Sequence, residues 1–189
     1  MNRPSCIEAY AIVSADGMIA DADGVQPPGL MVKSDQDFFH RGLDRAAAVA
    51  HGKHSSEGGA DAASRKRLIL TRSIASLAPH PQIATALLWN PAGASLEQAW
   101  QALDAGDGTL AVIGGTDTFG LFLGIGYDVF HLTRANRVRL PGGRPVFPEV
   151  PARTPEEMLA AHGLVAGPPQ VLDPAADVVL VTWSVAGKA

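Results

Sequence analysis

The feature that most constrains this chain is the regular alternation of short apolar runs with helical patterns. β-like runs occur at residues 7–14, 47–51, 67–71, 85–89, 109–113, 127–134, 163–171 and 177–184. The earlier runs are separated by helix-period segments, while the last three follow one another with little helix between them. Strands that alternate with helices close into a mostly parallel sheet, and a terminal hairpin adds an antiparallel edge. The expected fold class is therefore α/β: a central, mostly parallel eight-stranded sheet with about four flanking helices and an antiparallel C-terminal hairpin. The length of 189 residues suits one domain over 1–189.

Two helix starts are marked. Ser95-Leu96-Glu97-Gln98 reads as a capping box, followed by an apolar stripe at Leu96, Trp100 and Leu103 and an expected end at Gly106. Ser34 is the expected N-cap of a helix carrying Phe38, Phe39 and Leu43. Two segments are rich in loop formers, 21–30 and 140–151, and loops of such length in a compact domain tend to be functional.

Composition narrows the function. A net charge of −4 with no basic cluster argues against a nucleic-acid partner. The single cysteine, Cys6, cannot form an intramolecular disulfide, and no run approaches the ~18 apolar residues of a membrane span. A cytoplasmic protein without a membrane partner is expected. The six histidines are scattered without cysteine or paired carboxylates nearby, so no metal site is expected.

Three strand ends could hold an anion. Gly114-Gly115-Thr116 follows an apolar strand and opens a helix, where paired glycines admit close backbone approach and free amides favour phosphate. Lys53, His54 and Ser55 follow the second strand, and Thr71 and Arg72 follow the third. Each taken singly reads as a solvated strand end. Three together at the carboxyl edge of parallel strands read as a ligand site, because that edge is where open α/β sheets bind. Neither a P-loop nor a G-x-G-x-x-G pattern is present. Lys53 and Arg72, with no acidic neighbour in sequence, suit the extra phosphate of NADPH.

The order Asp16-Gly17-x-Ile19-Ala20, Ser34-Asp35-x-x-x-Phe39, Gly52-Lys53-His54-Ser55-x-Glu57, Val112-Ile113-Gly114-Gly115 and Tyr127-Asp128-x-x-x-Leu132-Thr133 resembles the dihydrofolate reductase superfamily. Asp16–Ala20 and Gly142-Gly143-Arg144-Pro145-Val146-Phe147 look more like its riboflavin-pathway branch, the reductase domain of the bifunctional deaminase-reductase. The resemblance implies an NADPH-dependent reductase acting on a pterin or a ribosylaminopyrimidine. It implies that Asp35 grips the amino-pyrimidine edge of the substrate with Thr133 behind it, that Phe39 packs on the substrate ring and that Arg65 holds a glutamate tail. Lys53, His54, Ser55, Thr71, Arg72, Gly114, Gly115 and Thr116 then fall on cofactor contacts and Phe119 near the nicotinamide. It further implies a cis peptide bond between Gly114 and Gly115, and by analogy with the riboflavin branch a homodimer.

The departures are specific. No tryptophan stands near Leu30, where folate enzymes carry one in a mobile loop, and the zinc-deaminase signature H-x-E with P-C-x-x-C is absent. A different class is therefore also open: a non-catalytic nucleotide-binding or dimerisation protein that has kept the fold.

Overall fold

The computed structural model describes residues 3–55 and 61–187. Twelve strands and four α-helices are present among them: β1 (Cys6–Ser14), β2 (Met18–Ala20), α1 (Lys33–Arg45), β3 (Ala48–Gly52), β4 (Arg67–Leu70), β5 (Leu77–Pro79), β6 (Ala86–Trp89), α2 (Leu96–Leu103), β7 (Thr109–Val112), α3 (Thr116–Ile125), β8 (Val129–Ala135), β9 (Arg144–Pro145), α4 (Pro155–Ala161), β10 (Leu164–Ala166), β11 (Gln170–Asp173) and β12 (Val178–Val185). A single 3-10 turn, Pro28–Leu30, precedes α1. No helix among the described residues is long and apolar enough to cross a membrane.

The main sheet runs β10-β12-β8-β1-β7-β3-β4-β6-β5, with β11 pairing β12 beside β10. Its centre, β8 through β6, is parallel, and β12, β10, β11 and β5 are antiparallel additions. The sheet thus has ten strands rather than eight. The apolar run 163–171 is two strands because Gly167, Pro168 and Pro169 break it, prolines having no N–H for the ladder. β2, β5 and β9 have only three, three and two residues, too few to show a period, and two of them contain proline. β2 and β9 form a separate antiparallel ribbon.

Alternation along β1 sorts its side chains to opposite faces. Ile7, Ala9 and Val13 join the large core with Trp89 of β6 and residues of α2, α3 and α4, including Trp100, Phe119, Phe122 and Leu159. Tyr10 joins a smaller core with Leu43 of α1, Val49 and Ala111, against which Phe38 and Phe39 pack. α1 comes close to the sheet at Gly42, where a Cβ would stand 2.2 Å from the Tyr10 hydroxyl. Only glycine fits there, at a helix cost of about 1 kcal/mol.

The capping box of α2 is present, with Ser95 accepting from the Gln98 amide and Gln98 reaching back. The helix ends on Asp104 in the left-handed conformation (φ 51°), two residues before Gly106; aspartate tolerates that region better than most residues. α1 differs from expectation at its start. Its N-cap is Val32, without a side-chain cap, and Ser34 lies inside the first turn. The Lys33–Asp37 ion pair, 2.7 Å, bridges that turn instead. A second capping box, Thr154–Glu157 with Pro155 at the first helical position, opens α4.

Candidate functional site

The adjacent strands β7, β3 and β4 deliver the three anion-binding candidates to one edge. Gly52 N–H donates to the Gly114 carbonyl (3.1 Å), joining the turns after β3 and β7. Lys53, His54, Ser55, Thr71, Arg72, Gly114, Gly115 and Thr116 all line a single cleft of about 1610 Å³. Glu57 lies outside the described residues.

Gly114 and Gly115 have φ of 139° and 87°, and a Cβ on either would sit 3.5–3.6 Å from Ser55 Oγ. Glycine is required here by the backbone itself. The peptide bond between them is not cis; Val150–Pro151 is the cis bond among the described residues. The turn is made by positive φ at both glycines, and the expected cis bond is corrected accordingly. Gly115 caps α3 without a side-chain hydrogen bond, so the first-turn amides of the ten-residue helix face the cleft without a side-chain cap.

Two expected cofactor contacts are partly engaged elsewhere. Thr116 Oγ1 donates to the Pro145 carbonyl (2.5 Å), tying α3 to the β2–β9 ribbon. Phe119 is 1% exposed and packs against Phe130 and Phe147, reaching the cleft with the ring edge beneath Gly114. Arg72 is not free of acidic neighbours: Asp117, in the first turn of α3, lies 3.5 Å from it.

The other end of the cleft is built on α1 and β8. Asp35 and Phe39, four residues apart, both line it, and Thr133 of β8 lines it opposite the Asp35 carboxylate. Burial pushes the Asp35 carboxyl above its ordinary range, and the Thr133 hydroxyl only partly opposes this. Phe39 is half-buried and meets Tyr10 edge to face, 6.0 Å between centroids at 80°.

Arg65 stands apart from the other expected site residues. It does not line the cleft; its guanidinium pairs with Asp44 near the C-terminal end of α1, at 2.5 Å. The residues sequence reasoning missed are His131, Tyr10 and Phe38. His131 Nε2 lies 2.6 Å from Glu8 Oε1 and Nδ1 2.9 Å from Thr182 Oγ1. The imidazole stacks on Tyr10 (4.8 Å, 28°), and Phe38 meets it edge-on (4.9 Å, 76°). The His131-x-Thr133 alternation on one strand face was the available signal.

No protein-family model matches the sequence, and no curated protein does. Similarity is found among solved structures. The deaminase/reductase for diaminohydroxyphosphoribosylaminopyrimidine and 5-amino-6-(5-phosphoribosylamino)uracil from Thermotoga maritima superposes with a TM-score of 0.65 at 15% identity, covering 97% of this chain and 57% of that one. The chain thus spans a little over half of that protein. Dihydrofolate reductase from Enterococcus faecalis, solved with NADP(H), gives 0.63 at 17% identity over 95% of both chains. The chain has the dihydrofolate reductase-like fold. A pyrimidine reductase-like protein from Corynebacterium diphtheriae shares this fold too, with a TM-score of 0.60 at 17% identity over 95% of this chain and 91% of that one. The dihydrofolate reductase-like architecture accounts for the cleft running along the carboxyl edge of β7, β3 and β4 to α1 and β8.

Proposed function

We propose that this chain is an NADPH-dependent reductase acting on an aminopyrimidine, of the ribosylaminopyrimidine type rather than a folate. The observation that carries the reading is the single cleft with two chemically distinct ends. One end holds glycine backbone, a helix start and cations; the other holds the half-buried Asp35 carboxylate in a wall shared with Tyr10, Phe38 and Phe39.

The residues present suit a nicotinamide dinucleotide. Gly114 and Gly115 keep the floor free of side chains, the α3 amides and Ser55 hydroxyl offer donors to phosphate, and Lys53 and Arg72 supply positive charge. The dinucleotide, when bound, supplies the hydride. Asp35 accepts two hydrogen bonds from an amino-pyrimidine edge, which offsets the cost of burying its charge. Burial holds its carboxyl above the ordinary range and so favours the protonated form that general-acid assistance needs. Thr133 fixes the orientation of the carboxylate, and Phe39 and Tyr10 exclude water from the ring.

The choice between substrates rests on Arg65. Tied to Asp44 away from the cleft, it is not placed to hold a glutamate tail. A cytoplasmic homodimer belongs to the same proposal. It is supported by the open edge of β10 and β11, where Val165 and Val171 are 58% and 59% exposed; light scattering at micromolar concentration tests it.

The deciding experiment follows nicotinamide absorbance with NADPH and a panel of dihydrofolate, unconjugated pterins and the deaminated ribosylaminopyrimidine. Turnover of the last alone is expected. Binding of NADPH without turnover of any member assigns the chain to the non-catalytic class.

A further inference from the structure

Two charged side chains span the cofactor end of the cleft. Arg72 follows β4, and Asp117 is the second residue of α3, which follows β7. β3 lies between β4 and β7, so the strands that lead to the two residues stand about 10 Å apart, two strand spacings. The side-chain tips nevertheless meet at 3.5 Å. The pair therefore joins the turn after β4 to the start of α3, on the edge where the Gly52 N–H donates to the Gly114 carbonyl.

Stability does not explain this bridge. The side chains are 89% and 82% exposed, and exposed ion pairs add little to folding. The helix dipole accounts for an acid in the first turn of α3, but not for its meeting an arginine across the strand ends. Both residues line the cleft, as does Lys53.

We propose that Asp117 is a built-in competitor for Arg72: it holds the guanidinium across the strand ends and gives it up to a phosphate group of the dinucleotide. The proposal rests on the cofactor reading above. A phosphate carries more charge and more acceptor oxygens than the carboxylate, so it wins the guanidinium, but only by first breaking the Arg72–Asp117 pair. Asp117 thereby lowers affinity below what Lys53 and Arg72 would give alone and eases cofactor release.

The test is Asp117→Asn, Arg72→Ala and the double variant of the full chain, titrated with NADPH, NADH and inorganic pyrophosphate. Asp117→Asn is expected to tighten NADPH binding about fivefold, the scale of one charge contact in water, and to lose that gain in the Arg72→Ala background. An equal gain for NADH identifies the competing group as the pyrophosphate; a gain for NADPH alone identifies the 2′-phosphate. No tightening for either dinucleotide, or the same tightening without Arg72, overturns the proposal. If neither dinucleotide binds any variant, the cofactor reading fails by itself. Pyrophosphate then decides the competitor: tighter binding in Asp117→Asn that needs Arg72 upholds it, and unchanged binding overturns it.

Discussion

Thr133, on β8, faces the carboxylate of Asp35, on α1, across one end of the cleft. Asp35 sits in the first turn of α1, where an acid complements the helix dipole; that placement alone would leave it exposed and ordinary. Here the side chain is half-buried, and that burial raises the carboxyl above its ordinary range, which an acid placed only for the helix dipole would not need.

Asp35→Asn should therefore separate function from stability. Turnover should fall by about a hundredfold or more while NADPH affinity is retained. A buried acid whose folded pKa is raised favours the fold when protonated. Its contribution is full below the unfolded pKa of about 3.9 and is lost as pH rises through the higher folded value. At neutral pH the wild type thus carries a penalty that asparagine lacks, so the variant should melt higher at pH 7 and lose that advantage near pH 3.5. A variant with wild-type turnover and a lower melting temperature would return Asp35 to a helix-dipole role.

Lys53 should matter more than Arg72 for cofactor binding. Both line the cleft, but Arg72 faces Asp117 at 3.5 Å and must exchange one anion for another. Lys53→Ala should weaken NADPH binding by about tenfold, a charge-assisted hydrogen bond's worth, and Arg72→Ala by less. NADH affinity should change little if Lys53 reads the 2′-phosphate. Equal losses for the two cofactors, read by nicotinamide fluorescence, would move Lys53 to the pyrophosphate.

Much of this arrangement was legible in the sequence because it depends on local rules. The parallel strands announced themselves as apolar runs, the Ser95–Gln98 box as a cap, and the three strand ends as donors along one edge. What was not legible depends on partners far apart in the chain. The Arg72–Asp117 contact joins residues 45 apart, and Glu8 and His131 are 123 apart. The start of α1 was misplaced because Val32 adopts an extended conformation and needs no side-chain cap, so Ser34 carried a signal the fold does not use. The short strands β2, β5 and β9 exist only because a neighbour pairs with them.

Arg65→Ala tests the substrate assignment from the other side. The arginine is held by Asp44 outside the cleft, so the variant should leave KM unchanged for any pterin or aminopyrimidine that turns over. Stability should fall by about 1–3 kcal/mol, because the Arg65 side chain is only 11% exposed and its removal leaves Asp44 without this partner. A KM for dihydrofolate raised tenfold would place the guanidinium in the cleft and restore the folate reading.

Glu8 and His131 should govern the acid limb of stability. Burial alone would raise the Glu8 carboxyl, but the His131 hydrogen bond, Tyr10 and the charges of His131 and Arg45 outweigh it and hold Glu8 below its ordinary value. An acid depressed in the fold stabilises above its unfolded pKa, about 4.3, and that contribution is lost as pH falls through the folded value. Glu8→Gln should therefore cost about 1–3 kcal/mol at pH 7, the range for a buried hydrogen-bonding group losing its partner, and much less near pH 3. Urea unfolding at the two pH values reads the difference. The same variant loosens the imidazole that stacks on Tyr10 beneath the substrate end, so KM for the aminopyrimidine should rise while NADPH affinity, set at the far end of the cleft, stays constant. Equal destabilisation at both pH values would show that Glu8 acts through packing and not through its charge.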